Sequence, residues 1–310
     1  MTALAAQPQA SLRLGVDLGG TKTEAVVLDA AGAERWRHRI ATPKQTAESI
    51  CDAIAGLVAD AEAAVAGSCS VGIGTPGSLS PHSGLLRGSN TVVLNGKPVR
   101  QMLEQRLGRE VRIANDANCF ALSEAVDGAG RGANTVFGAI LGTGVGAGVV
   151  INGKVLEGLH GIGGEWGHNP LPWPEGDELP VALGGRANVC YCGKPGCIET
   201  WLSGTGIQAH FGDGSIHSAD IVTRAAAGDV ASESYLRRVE DRMARAFATI
   251  INVLDPDVIV LGGGVSNIER FYASVPPLLP KYVFSEYVAT RFVRNVHGDS
   301  SGVRGAAWLW

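Results

Sequence analysis

Apolar positions recur along this chain in two rhythms, and the rhythms alternate. Leu12 to Leu18 carries an apolar residue at every second position, the period of a half-buried strand. It runs into Asp17-Leu18-Gly19-Gly20-Thr21-Lys22, and a second strand, Thr23 to Leu28, follows almost at once, so the glycines predict a hairpin turn. Glu34 to Ile40 adds a third strand. Thr46 to Ala64 changes to helical periodicity and is rich in alanine. Val71 to Gly74 is a short strand broken by Thr75-Pro76-Gly77-Ser78. Pro98 to Leu107 reads as a helix and Val111 to Ala114 as a strand. Asn115-Asp116 stands at that strand's end, just before a helical run from Ala117 to Val126.

The opening then repeats. Thr135 to Leu141 is a strand, followed by Gly142-Thr143-Gly144-Val145-Gly146-Ala147-Gly148 and a strand from Val149 to Asn152. Leu18-Gly19 matches Leu141-Gly142, and Thr21 faces Gly144. Two strand–glycine turn–strand units predict two related lobes. Helices follow near 204–211, 218–227 and 231–254. Asp257 to Leu261 is a buried strand ending in Gly262-Gly263-Gly264. Helix resumes after Ser266, and the chain closes with a strand near 292–296 and a helix from Gly302. Alternating strands and helices in both halves predict an α/β fold with a mixed sheet in each lobe and a ligand cleft between the lobes. The boundary falls near 115–118: an N-terminal lobe over 1–117, with a flexible tail at 1–11, and a C-terminal lobe over 118–301. The helix at 302–310 is expected to pack back onto the first lobe.

Composition narrows the function classes. The 310 residues suffice for two lobes, and 45% apolar with 18% charged residues describes an ordered globular protein. A net charge of -4 offers no basic field for nucleic acid. No apolar run reaches membrane-spanning length, and the first ten residues lack the features of a signal peptide. A cytoplasmic location is the expectation. Cys51, Cys69 and Cys119 sit singly inside apolar patterns and read as small buried hydrophobes.

Cys190, Cys192 and Cys197 are clustered, with His168 upstream. In a reducing compartment clustered thiols favour metal over disulfide. His168-x21-Cys190-x-Cys192-x4-Cys197 fits a closed Cys₃His zinc site, structural because no coordination position stays open. Glu165 and Glu199 flank these ligands and suit vicinal sugar hydroxyls; surface glutamates are the ordinary alternative. The turns at Gly19, Gly20, Thr21 and Lys22 and at Gly142, Thr143 and Gly144 would expose backbone N–H groups to phosphate, although glycines also serve plain hairpins. Neither is a P-loop or a G-x-G-x-x-G helix start. Asp17 could orient hydrated magnesium or stabilise its turn. Asp116 suits a general base, and equally a helix N-cap. Asn115 could bond a sugar or hold the turn.

Together these segments resemble the ROK family of sugar kinases and regulators. The resemblance rests on Asp17–Lys22, Ala114-Asn115-Asp116-Ala117-Asn118, Leu141–Gly146, Gly164-Glu165-Trp166-Gly167-His168, Cys190–Glu199 and Val260–Gly264. It implies the actin-like ATPase (ribonuclease H-like) fold, use of ATP and Mg²⁺, structural Zn²⁺ in a loop over 165–199, and Asp116 as base. It also implies sugar contacts from Gly77, Asn90, Asn115, Glu165, His168 and Glu199, with Thr143 near the transferred phosphate and Gly262, Gly263 and Gly264 near the adenosine. A homodimer is implied likewise. Within the family, the run from Glu165 to Trp173, the Cys190–Lys194 stretch and the tail from His297 look most like bacterial fructokinases of the manno(fructo)kinase type. Gly184-Gly185-Arg186 departs from the acidic stretch expected there.

The expected activity is therefore ATP-dependent phosphorylation of fructose, with mannose a further substrate. N-acetylglucosamine kinase and glucokinase are the nearest alternatives. A sugar-responsive transcriptional regulator is disfavoured, because eleven residues before Leu12 are too few for a helix-turn-helix domain. An ATPase of chaperone or cytoskeletal type gives no reason for the zinc loop.

Overall fold

The computed structural model describes residues 12–179 and 189–310. The tail at 1–11 and the departure at Gly184-Gly185-Arg186 lie outside the described residues. The chain forms two compact units. One comprises residues 12–119, Gly158–Gly161 and Ser300–Trp310; the other comprises Phe120–Glu157 and Ile162–Asp299.

The first unit is built on a five-stranded sheet. Its strands are β1 (Leu12–Leu18), β2 (Lys22–Asp29), β3 (Glu34–Ala41), β4 (Ser70–Thr75) and β7 (Val111–Asn115), in the order β3-β2-β1-β4-β7. The first three run antiparallel as a meander, and β4 and β7 add in parallel. A short hairpin that no periodicity announces, β5 (Ser78–Leu79) with β6 (Leu86–Arg87), interrupts the parallel part. The period of β1 explains both faces of the sheet. Leu14, Val16 and Leu18 pack with α1 (Ala47–Val65) and α2 (Val99–Leu107) in one core. Gly15 faces the other way, against α9 (Ser301–Ala307), where a Cβ at residue 15 would stand 2.1 Å from the Val303 carbonyl oxygen. Gly72 of β4 is equally close to Ala306. Two glycines thus let a helix lie flush on the sheet. The helix α1 starts on a capping box between Thr46 and Ser49.

The second unit repeats this order. Its strands are β8 (Thr135–Leu141), β9 (Val145–Ile151), β10 (Lys154–Val155), β11 (Val258–Gly262) and β12 (Arg291–Arg294), in the order β10-β9-β8-β11-β12. Again three strands form an antiparallel meander and two add in parallel. The repeated glycine turns therefore mark a repeated sheet. The linking helix α3 (Asp116–Val126) has its first residues in one unit and the rest in the other. Among the described residues four further helices follow: α4 (Ile198–Leu202), α5 (Gly204–Ala209), α6 (Ser218–Ala226) and α7 (Val230–Leu254). A short α8 (Arg270–Ser274) precedes β12. The apolar stripe of α7, including Tyr235, Met243 and Phe247, closes the core over Phe137, Ala139 and Trp166. Cys51, Cys69 and Cys119 are buried, and burial pushes the Cys51 and Cys69 thiols up to about 11.

Most expected strand ends shift by one or two residues, and the start of β9 shifts by four. The glycine turn after β8 ends at Gly144, and β9 begins at Val145 instead of Val149. Gly146 and Gly148 are strand residues paired with Ile140 and Gly138. Both glycines extend the strand and do not lengthen the turn. Among the described residues no helix is long and apolar enough to cross a membrane.

Candidate active site

In the first unit, the turn between β1 and β2 is closed by Gly19 N–H donating to the Lys22 carbonyl at 3.0 Å, which leaves Gly20, Thr21 and Lys22 exposed. A residue that no motif singles out braces it. Thr42 Oγ1 donates to the Gly19 carbonyl at 2.7 Å, and the Thr42 N–H donates to the Thr21 carbonyl at 3.0 Å. Asn90 lies over this turn, 3.9 Å from where a Cβ on Gly20 would stand.

Asp17 faces the α9 side of the sheet. Direct cross-strand pairing aligns it with Glu24 of β2, which in turn pairs with Arg39 of β3. Glu24 is buried and held by Arg37 at 2.7 Å and Arg39 at 2.9 Å. Burial, then the charges of Asp116 and Glu24, push the Asp17 carboxyl up to about 6, against the pull of Arg39. The spacing of the motif hides this row, because register and not sequence distance brings the three charges together.

At the end of β7, the capping role considered for Asp116 is shared. Asn115 Oδ1 accepts from the Ala117 N–H at 2.9 Å, and Asp116 Oδ1 accepts from the same N–H at 2.8 Å. Asp116 is exposed in the first turn of α3. Asn115 Nδ2 donates to the Gly77 carbonyl at 3.1 Å, joining two residues that the sequence separates by 38 positions. Gly77 has φ +80, and a Cβ there would stand 2.3 Å from the Arg87 carbonyl oxygen, so glycine is required.

In the second unit, Gly164-Glu165-Trp166-Gly167-His168 is pressed onto β9. Gly164, at φ +96, would put a Cβ 2.1 Å from the Ala147 carbonyl oxygen, and Gly167 one 2.2 Å from that of Val145. Between them Trp166 is buried edge-on to Phe137, with ring centroids 5.5 Å apart. Two backbone contacts and one aromatic anchor thereby fix Glu165 and His168.

The cysteine loop closes beside them. Gly193 and Gly196 adopt φ +85 and +68, as their place in a tight loop requires. Leu171 N–H donates to the Gly196 carbonyl and Ile198 N–H to that of Asn169, at 2.9 and 2.8 Å. The ligand atoms of His168, Cys190, Cys192 and Cys197 all lie within 4.8 Å of one another. Cys192 Sγ is 3.6 Å from Cys197 Sγ, and Cys190 Sγ is 3.4 Å from His168 Nδ1. A disulfide would need about 2.05 Å. Thiolates at about 2.3 Å around one tetrahedral ion stand about 3.8 Å apart, so the set fits a four-coordinate metal. Nδ1 faces the cysteines. Nε2 is 2.9 Å from the hydroxyl of Tyr191, a contact no motif anticipates, and 3.9 Å from Glu165 Oε2.

Glu199 lies in the first turn of α4. Its Oε1 is 3.4 Å from Cys190 Sγ, and its Oε2 accepts from the Val145 N–H at 3.0 Å. It is thus tied to both the cysteine loop and the second glycine turn. That turn is closed by Gly142 N–H donating to the Gly144 carbonyl at 2.9 Å, with Thr143 exposed. Beyond β11, Gly263 adopts φ +78, and a Cβ there would also stand 2.5 Å from the Leu141 carbonyl oxygen. Gly263 and Gly264 line a cavity of about 450 Å³ together with Ser266, Asn267, Arg294 and Asn295.

The chain belongs to the ROK family, whose sequence pattern matches residues 13–310. It is 39% identical over 302 residues to the N-acetyl-D-glucosamine kinase of Salmonella gallinarum, covering 95% of this chain and 98% of that protein. It is 40% identical over 298 residues to the enzyme of the same name from Pectobacterium atrosepticum, covering 95% and 97%. Among solved structures, the ROK hexokinase from Thermus thermophilus superposes with a TM-score of 0.82 at 30% identity, covering 96% of this chain and 97% of that one. The ROK family glucokinase from Streptomyces griseus, in complex with glucose and AMPPNP, gives a TM-score of 0.72 at 30% identity, with 96% and 98% covered. The paired sheets are those of the actin-like ATPase fold.

Proposed function

We propose that this protein is an ATP-dependent hexose kinase and that its acceptor is N-acetylglucosamine. The observation that carries the acceptor is the near full-length similarity, at 39–40% identity, to relatives named N-acetyl-D-glucosamine kinase. The same observation favours this alternative over the fructose expected from the motifs. The kinase class is supported by membership of the ROK family, by two glycine turns with exposed threonines at Thr21 and Thr143, and by an exposed carboxylate at Asp116.

In this reading a sugar hydroxyl attacks the γ-phosphorus of ATP. The new P–O bond forms as the bond to ADP breaks, and Asp116 takes the hydroxyl proton. We assign Gly77, Asn90, Asn115, Asp116, Glu165, His168 and Glu199 to holding the sugar. Gly19, Gly20, Thr21, Lys22, Thr143 and Gly144 would cradle phosphates, and Gly262, Gly263 and Gly264 the adenosine. Asp17 would hold hydrated magnesium, which would supply charge neutralisation on the phosphates. Zinc suits His168, Cys190, Cys192 and Cys197, and its contribution there is structural. His168 would offer Nδ1 to the metal and Nε2 to the sugar, which must then displace or share the Tyr191 hydroxyl.

An ADP-release assay across N-acetylglucosamine, glucose, mannose and fructose tests this. The expected outcome is the highest kcat/KM with N-acetylglucosamine. A preference for fructose would reinstate the fructokinase reading, and no turnover with any hexose would end the kinase reading altogether.

A further inference from the structure

The second glycine turn is held by one short segment of chain, and that segment leaves directly from the cysteine loop. Three hydrogen bonds join them. The Val145 N–H donates to Glu199 Oε2 at 3.0 Å, the Gly204 N–H donates to the Gly142 carbonyl at 2.7 Å, and Thr205 Oγ1 donates to the Thr143 carbonyl at 2.8 Å. Each residue from Gly142 to Val145 is therefore either bonded to the segment Glu199–Thr205 or flanked by residues that are. A Gly-Thr-Gly turn has little rigidity of its own. Its N–H groups can be aimed at a phosphate only if something outside the turn fixes them.

The turn and the Glu199 carboxylate meet closely at one point. A Cβ on Gly144 would stand 2.7 Å from Glu199 Oε2 and would push that oxygen off the Val145 N–H, whereas a Cβ on Gly142 meets nothing within 4 Å. The far end of the segment is equally constrained. Glu199 Oε1 faces Cys190, and Cys197 immediately precedes α4. Thr205 is further seated by Ser203, whose Oγ lies 3.0 Å from Thr205 Oγ1 and accepts from the Gly206 N–H at 2.9 Å.

We propose that Glu199–Thr205 is a strut that couples the sugar-binding loop to the phosphate turn, with Glu199 and Thr205 as its positioning residues. The inference rests on the functional reading above, in which Glu199 meets the sugar and the turn meets phosphate. Oε1 serves the sugar side while Oε2 holds the turn, so a disturbance on one side is felt on the other. This coupling is confined to the second unit and needs no movement of either unit.

The test is to titrate the full chain calorimetrically with N-acetylglucosamine in the absence of nucleotide. Gly144→Ala, although it lies in the phosphate turn, weakens sugar binding about 10-fold, the scale of a lost charge-assisted hydrogen bond. Gly142→Ala, in the same turn, leaves it within about 2-fold. In the reverse direction, Thr205→Val weakens a non-hydrolysable ATP analogue about 5-fold without sugar present, and Thr205→Ser restores it. Thr205 is exposed, so this pair reports even if Gly144→Ala does not fold. Unchanged sugar binding in Gly144→Ala, equal weakening in both glycine variants, or unchanged nucleotide binding in Thr205→Val overturns the strut. Wild-type protein that binds no hexose overturns the functional reading instead.

Discussion

The stretch behind His168 is anchored by a buried carboxylate, and its removal is the most quantifiable perturbation of this structure. Glu178 is only 4% exposed. Its Oε1 accepts from Arg242 Nε at 2.6 Å and Arg245 Nη2 at 2.9 Å, and its Oε2 accepts from Arg245 Nη1 at 2.8 Å and the Glu175 N–H at 2.9 Å. Arg245 Nη1 also donates to the carbonyls of Pro172 and Trp173, four and five residues after His168. Burial by itself would raise this carboxyl, but the hydrogen bonds from Arg245 and Arg242 outweigh it and hold it down to about 2. A carboxylate depressed from 4.5 to about 2 contributes about 3 kcal/mol at neutral pH. Because the folded value lies below the unfolded one, that contribution is complete above about pH 5 and fades as pH falls toward 2, with about 1 kcal/mol left at pH 3. Glu178→Gln should therefore cost about 3 kcal/mol in urea unfolding at pH 7, and the gap to wild type should narrow steadily between pH 5 and pH 3. A variant within about 0.5 kcal/mol of wild type at pH 7, or a deficit that does not change with pH, would refute the assignment of this carboxylate as the charged anchor.

Three further perturbations bear on the chemistry. Asp116→Asn should keep sugar and nucleotide binding but lower kcat roughly 10²–10⁴-fold, and near-normal kcat would remove Asp116 as base. Asp17→Asn should abolish turnover yet stabilise the nucleotide-free protein. A carboxyl raised from 3.8 to about 6 costs about 3 kcal/mol once ionised at pH 7, so thermal melting should favour the variant there and converge with wild type below pH 4. Cys192→Ser should lose bound zinc, measured as metal content per chain, and weaken sugar binding; full sugar affinity in metal-free protein would show that the loop stands without it.

How much of this was legible in the residues alone depends on what each feature rests upon. Strand and helix order follow from apolar periodicity, which is local, and the doubled strand–turn–strand opening announces the doubled sheet that the structure shows. The cysteine cluster with His168 is a local chemical signal as well, because few other arrangements use three thiols in eight residues. Family membership followed from motifs spread over the chain. The extent of β9 was not legible, since a glycine that turns the chain and a glycine paired within a strand look the same in sequence. Gly146 and Gly148 do not turn. The row of Asp17, Glu24 and Arg39 arises from register across three strands, which sequence distance does not encode. The bracing of one turn by Thr42 and of the other by Glu199 and Thr205 depends on where distant segments come to rest. Local pattern determined which residues could carry chemistry, because chemistry belongs to side chains. Only the tertiary structure decided which of them are tied together, because hydrogen bonds and charges act through space and not along the chain.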